Sequence, residues 1–142
     1  MFARSIAVRT CSSPASSRIA LVRARPLTVP APPEIFLQFV QWQAEAETGI
    51  VTVPCGYADG YFRRMTNRAQ VMIHQKKYPQ VGRICMDQFM VNVGDDDIQV
   101  GEEVILLGDG IRAEDLAQWM GTNEYEVMTN ISARVPRVYV NE

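Results

Sequence analysis

The sequence predicts a mainly β domain, a small barrel or sandwich carrying one or two short helices. Three observations predict it. The apolar runs at 50–54, 70–74 and 89–93 are each about five residues long, the length of strands rather than of helices. Nine glycines and eight prolines fall mostly between such runs, where a chain must turn. Only one run, 113–120, carries helix signals at both ends: Glu114 and Asp115 in its first turn, and Gly121 just past its last.

Residues 1–33 hold five arginines, no acid, and a cluster of prolines (Pro26, Pro30, Pro32, Pro33) that forbids a regular element there. They read as a leader, disordered or loosely packed. Two origins fit that composition: a transit-type presequence, or the product of a disturbed reading frame. The domain proper is expected over 34–142. Residues 34–48 carry Ile35, Phe36, Phe39, Val40 and Trp42, a window too short to separate helix from buried strand. The strand at 50–54 ends at a turn on Gly56. The strand at 70–74 is followed by a tight turn at 75–77 and a return strand over 78–84. His74, the single histidine, reads as a strand residue. After the turn at 82–88 comes the strand at 89–93. The acidic loop at 94–97 lacks the spaced ligands of a calcium loop and reads as a solvated turn. A further strand is expected at 103–107, between Gly101 and Gly108. The segment 124–131 is ambiguous, with Tyr125, Met128 and Ile131 three apart, and 137–140 reads as a final strand.

The bulk properties exclude several classes. The net charge is −2, which gives nucleic-acid binding no electrostatic support. Mean hydropathy is −0.08, and no apolar run approaches the roughly 20 residues that span a bilayer. Cys11, Cys55 and Cys85 are odd in number and lack CxxC spacing, which argues against a disulfide framework or a zinc site and suits a reducing compartment. What remains is a site made by loops on a rigid sheet. In the stretch 82–88, Arg83 and Asp87 flank a thiol and a thioether, Cys85 and Met86, between two strand-like runs. The stretch 55–61 puts two tyrosines and two glycines at a strand end, where the backbone turns sharply.

From Trp42 onward the residues carry a resemblance. Trp42-Gln-Ala-Glu45, Val51-Thr-Val-Pro-Cys-Gly-Tyr-Ala-Asp-Gly-Tyr61, Val81-Gly-Arg-Ile-Cys-Met-Asp-Gln88, Gly121-Thr-Asn-Glu-Tyr-Glu126 and Ile131-Ser-Ala-Arg-Val-Pro-Arg-Val-Tyr-Val140 resemble the C-terminal β domain of alanine racemase. They stand in the family's order and at its spacing. The resemblance implies a Greek-key-like β barrel belonging to a cytoplasmic isomerase dependent on pyridoxal 5'-phosphate (PLP), which interconverts L- and D-alanine and so supplies D-alanine for the cell wall. An organellar location follows instead if the leader is a transit peptide. In the family the two chains of a dimer pack head to tail, so that each β domain closes its partner's PLP barrel. Carried over by residue, the resemblance implies that the Met86 backbone N–H binds the substrate carboxylate in the partner's site and that Tyr125 donates to the PLP phosphate of its own chain. Tyr57, Arg63, Arg83 and Asp87 line the corridor by which a small zwitterionic amino acid arrives.

Three departures qualify that inheritance. A (β/α)₈ barrel needs about 200–250 residues, and 41 precede Trp42. The only lysines, Lys76 and Lys77, sit together in an expected surface turn and are poor candidates for a Schiff base. Gln38 stands where the family has its catalytic tyrosine, with Phe39 in the place of the following glycine, and glutamine has no titratable proton. The family signal returns abruptly at Trp42, although Arg23-Ala-Arg25 resembles the family's first strand about one residue out of register. The expectation is a domain that is inactive alone, either the remnant of a truncated gene or a module that docks on a separate racemase barrel.

Overall fold

A computed structural model of the chain describes residues 21–24, 42–99 and 101–136. Five antiparallel strands form one sheet: β1 (Leu21–Ala24), β2 (Thr48–Val53), β3 (Gln70–Ile73), β4 (Lys76–Val81) and β5 (Phe89–Gly94), in the order β1-β2-β5-β4-β3. Strands β3, β4 and β5 follow one another as neighbours. The long 54–69 connection carries the chain from β2, which lies beside β5, across to β3. That is Greek-key order. Two short helices follow, α1 (Ala113–Met120) and α2 (Glu124–Thr129). The mainly β class with short helices is as the sequence predicts.

Alternation explains the sheet. Along β5, Phe89, Val91 and Val93 are buried while Met90 is exposed, so one face of the strand meets the core. Val51 and Val53 of β2 and Val71 and Ile73 of β3 join them, and Ile98, Leu106, Ile111, Leu116 and Val127 close over that face. Fully burying side chains of this size stabilises by about 1.5–3 kcal/mol each.

The elements differ from the sequence reading in several places. Leu21–Ala24, inside the segment read as leader, pairs with β2, Arg23 opposite Gly49. The tight turn lies at His74–Gln75, with φ +48° and +62°, rather than at 75–77. A two-residue turn with both φ positive matches the twist of paired strands. Ile73 therefore pairs with Lys76, and both lysines belong to β4. His74 leaves the strand, and its Nε2 lies 3.1 Å from Glu102 Oε2. The return strand stops at Val81 because Gly82 turns at φ +71°. The strand expected at 103–107 is a single bridge, Ile105 to Met72. Glu103 and Ile105 face outward while Val104 and Leu106 are buried, but the alternation ends where Leu107 is buried as well, and only Ile105 finds a strand partner. The ambiguous 124–131 resolves as α2, capped by Asn123, whose Oδ1 accepts from Glu126 N at 3.0 Å. Residues 42–47 are irregular and Thr48 opens β2; residues 34–41, Gln38 among them, and the strand expected at 137–140 lie outside the described residues.

Candidate functional site

Two connections meet at one end of the sheet, where β2 and β4 finish and β5 begins. The first, 54–69, joins β2 to β3 and holds two 3₁₀ turns, Tyr57–Asp59 and Arg63–Met65. The second, 82–88, joins β4 to β5. Main-chain hydrogen bonds tie them: Tyr57 N donates to Cys85 O and Ala58 N to Met86 O, each at 3.0 Å. Gly56 makes this approach possible. A Cβ there would stand 2.3 Å from Cys85 O and 2.5 Å from Met86 O. Asp59 secures the same turn from the side, accepting from Gly56 N at 2.8 Å and pairing with Arg134 Nε at 3.1 Å. Ser132 N also donates to Asp59 O, which fastens the segment after α2 to the turn.

This framework points the predicted residues outward. Ile84 anchors the 82–88 loop in the core, while Arg83, Cys85, Met86, Asp87 and Gln88 are exposed. Met86 is 51% exposed and Tyr57 43%. Among the described residues the Met86 N–H meets no acceptor, although its carbonyl is bound. No ion pair joins Arg83 to Asp87 among the described residues, so both charges stand free to meet a ligand. Arg63 is exposed on the second 3₁₀ turn. Tyr125 lies on α2, 75% exposed, and its phenol makes no hydrogen bond among the described residues. The geometry thus joins Tyr57, Arg83, Met86 and Asp87 on two bonded loops. Arg63 continues the first of these, and Tyr125 is linked to it through the 130–134 segment.

Sequence reasoning missed two features. Gln80 is 1% exposed beneath the second loop, and Asn67 reaches it from the first. The signal was an inward position: Tyr78 and Gln80 share the buried face of β4. The other is an apolar cavity of about 80 Å³ between the Cys55–Tyr61 turn and α1, lined by Tyr61, Leu106, Leu116 and Val127. Tyr61 stacks on Phe89 at 4.6 Å, and its buried Oη has no hydrogen-bond partner among the described residues. Burial, reinforced by the Cys55 thiol, raises the Tyr61 phenol well above its ordinary range. Burial, then the Asp59 carboxylate, pushes the Cys55 thiol up to about 12, so it is a neutral wall and not a nucleophile. Lys76 is engaged elsewhere, its Nζ 2.5 Å from Asp96 Oδ2. Among the described residues no group of three His, Cys, Asp or Glu side chains could hold a metal ion, and no helix is long and apolar enough to cross a membrane.

Residues 40–139 match the family model described as "Alanine racemase, C-terminal domain". Alanine racemase of Clostridium novyi is 50% identical over 106 residues, covering 70% of this chain and 27% of that protein. The Carboxydothermus hydrogenoformans alanine racemase is 50% identical over 98 residues, covering 66% of this chain and 27% of that one. Among solved structures, alanine racemase from Streptomyces coelicolor superposes with a TM-score of 0.76 at 37% identity, covering 89% of this chain and 33% of that chain. Clostridium difficile alanine racemase in complex with cycloserine gives 0.72 at 41% identity, covering 87% and 32%. The chain therefore spans about a quarter to a third of the length of the relatives it matches, and it belongs to the alanine racemase family, corresponding to that family's C-terminal domain.

Proposed function

We propose that this domain closes the active site of a PLP-bearing racemase barrel in the cytoplasm, in the head-to-tail arrangement the family resemblance implies, and that the site it completes takes alanine. The observation that carries the reading is the 82–88 loop. Among the described residues its Met86 N–H is unengaged, and Arg83, three positions earlier on the same loop, is exposed and unpaired. A backbone N–H together with a guanidinium is a donor set that suits a carboxylate. Asp87 beside them suits the ammonium group of a zwitterion, and Tyr57 and Arg63 extend the approach. An exposed Met86 and Tyr57 on joined loops form apolar surface next to these polar groups, the composition of a face that a partner covers.

The residues present fit PLP in one respect. The exposed, unengaged phenol of Tyr125 can donate to a phosphate. PLP, when bound, supplies the electron sink for loss of the α proton. The chain's own part is to orient the carboxylate in the partner's site through Met86 N–H with Arg83 on the same loop, to hold the phosphate of its own site through Tyr125, and to screen the approach through Arg63, Arg83 and Asp87. Neither Lys76, in its exposed pair with Asp96, nor the neighbouring Lys77 offers a desolvated amine for a Schiff base. Gln38 offers no proton acceptor where the family has a tyrosine, so racemisation by the assembled pair is weak by the roughly 10²–10⁴-fold that a general base contributes.

The test joins the full chain to a separately produced, PLP-loaded barrel portion of the Streptomyces coelicolor relative. The expected result is co-elution and a change in PLP absorbance on adding alanine that the barrel alone does not give. Failure to co-elute would overturn the reading. Racemisation near that of an intact enzyme would overturn the assignment of Gln38.

A further inference from the structure

The loop that presents Met86 and Arg83 is held from beneath by a buried amide. Gln80 Oε1 accepts from Asn67 N at 2.7 Å, and Gln80 Nε2 donates to Val81 O at 3.0 Å and to Gly82 O at 2.7 Å. Asn67 completes the ring: its Oδ1 accepts from Gly82 N at 2.7 Å. Both polar groups of Gly82, the residue that turns the strand into the loop at φ +71°, are therefore bound by side chains. Beside it, Thr66 Oγ1 accepts from Ile84 N at 3.3 Å. A carboxamide is the group that can accept and donate twice from one position. Placing one at 1% exposure is costly unless all of its bonds are made. Hydrophobic residues fill the equivalent inward positions of β5, so packing alone does not call for glutamine here.

We infer that Gln80, with Asn67, is a positioning residue: it sets the departure angle of the 82–88 loop and so aims the Met86 N–H and Arg83 at the substrate carboxylate. The inference rests on the proposed role of that loop. It touches no substrate itself and acts through the backbone of Gly82, four residues before Met86.

Two replacements in the full chain test it. Gln80→Met keeps the volume and removes every side-chain hydrogen bond, leaving the backbone N at position 80 on Ala69 O. Gln80→Glu keeps the acceptor for Asn67 N and, when ionised, faces the Val81 and Gly82 carbonyls with a carboxylate; when protonated, its O–H donates to one of them. Burial raises such a carboxyl's pKa, so its effect fades as the pH falls. Amide exchange of the full chain alone, corrected for intrinsic rates, is expected to speed up about tenfold at Gly82 in both variants and at Asn67 in Gln80→Met, with Val51 and Val91 unchanged. In Gln80→Glu alone the protection returns in acid. In the pair assembled with the barrel, the alanine concentration giving half the absorbance change is expected to rise about tenfold in both, and to recover in acid, relative to the unsubstituted chain, only in Gln80→Glu. Loss of protection across the whole sheet would reduce Gln80 to a stability residue and overturn the inference. Local loss of protection with unchanged alanine response would overturn it too, because the clamp would then hold the loop without aiming it. An unsubstituted pair that ignores alanine would instead overturn the proposed function, leaving amide exchange to decide whether Gln80 sets the loop.

Discussion

Replacing Gly56 with alanine tests the contact on which the site depends. Gly56 has φ −155° and ψ −162°, extended backbone that alanine adopts without strain, so the effect isolates the added methyl. That methyl would meet Cys85 O at 2.3 Å and Met86 C and O at 2.5 Å. These are main-chain atoms and cannot swing aside, so the two loops must part. Overpacking costs about 1–3 kcal/mol. Parting also strains the Tyr57–Cys85 and Ala58–Met86 bonds, each worth about 0.5–1.5 kcal/mol. The total is roughly 2–6 kcal/mol, a large part of the 5–15 kcal/mol typical of a domain. At about 4–8 °C per kcal/mol, the midpoint of thermal unfolding falls by about 8 °C or more. Gly94→Ala is the control. Gly94 has φ +64°, and a methyl there would have nothing within 4 Å, so alanine costs only the left-handed strain, roughly 1–2 kcal/mol. A Gly56→Ala protein that melts within about 2 °C of the parent, or above Gly94→Ala, would refute the close-approach argument.

Four further outcomes are expected. Replacing His74–Gln75 by Asn-Gly relieves two left-handed residues and is expected to stabilise by about 1 kcal/mol, read as a higher urea midpoint with unchanged slope. Hydrogen bonds from Lys76, then from Tyr78, hold Asp96 below the usual aspartate range; its contribution is present above the ordinary aspartate pKa and lost as pH falls through the lowered value, so the stability gap between parent and Asp96→Asn is expected to close in acid. In the assembled pair, Met86→Ala keeps the N–H and is expected to bind alanine nearly as the parent does, whereas Met86→Pro removes it and is expected to weaken binding roughly 10–100-fold; equal loss in both would mean that the side chain, not the main chain, meets the substrate. Borohydride treatment of the chain with PLP is expected to leave no stoichiometric adduct, and mass spectrometry finding one on Lys76 or Lys77 would contradict the exposed-lysine argument.

Much of the fold could be read from the sequence where local pattern and tertiary role coincide. Phe89, Val91 and Val93 alternate because one face of β5 is buried, and the 113–120 helix shows its own caps. The turn at His74–Gln75 escaped because neither residue is a usual turn former; pairing of Ile73 with Lys76 imposes it. The segment 103–107 resembles a strand in composition, but burial of consecutive Leu106 and Leu107 comes from their place under the sheet, which no local pattern reports. At the site, the glycines and tyrosines of 55–61 and the charges of 82–88 were visible as motifs. That the two stretches touch was not, because the Gly56–Cys85 approach spans 29 positions and depends on the β2–β5 pairing.

That pairing also explains why the site is built mainly from backbone. The two loops are joined by the amides of Tyr57 and Ala58 and the carbonyls of Cys85 and Met86, not by their side chains. Side chains at 57, 83, 86 and 87 are therefore left exposed and unburdened by folding, while Gly56, Asp59, Asn67 and Gln80 carry the geometry. Changing an outward residue should alter what the face meets with little effect on melting. Changing one of the four beneath it should alter melting or amide protection before any ligand is added. The two groups are separable by experiment because the fold has divided presentation from support.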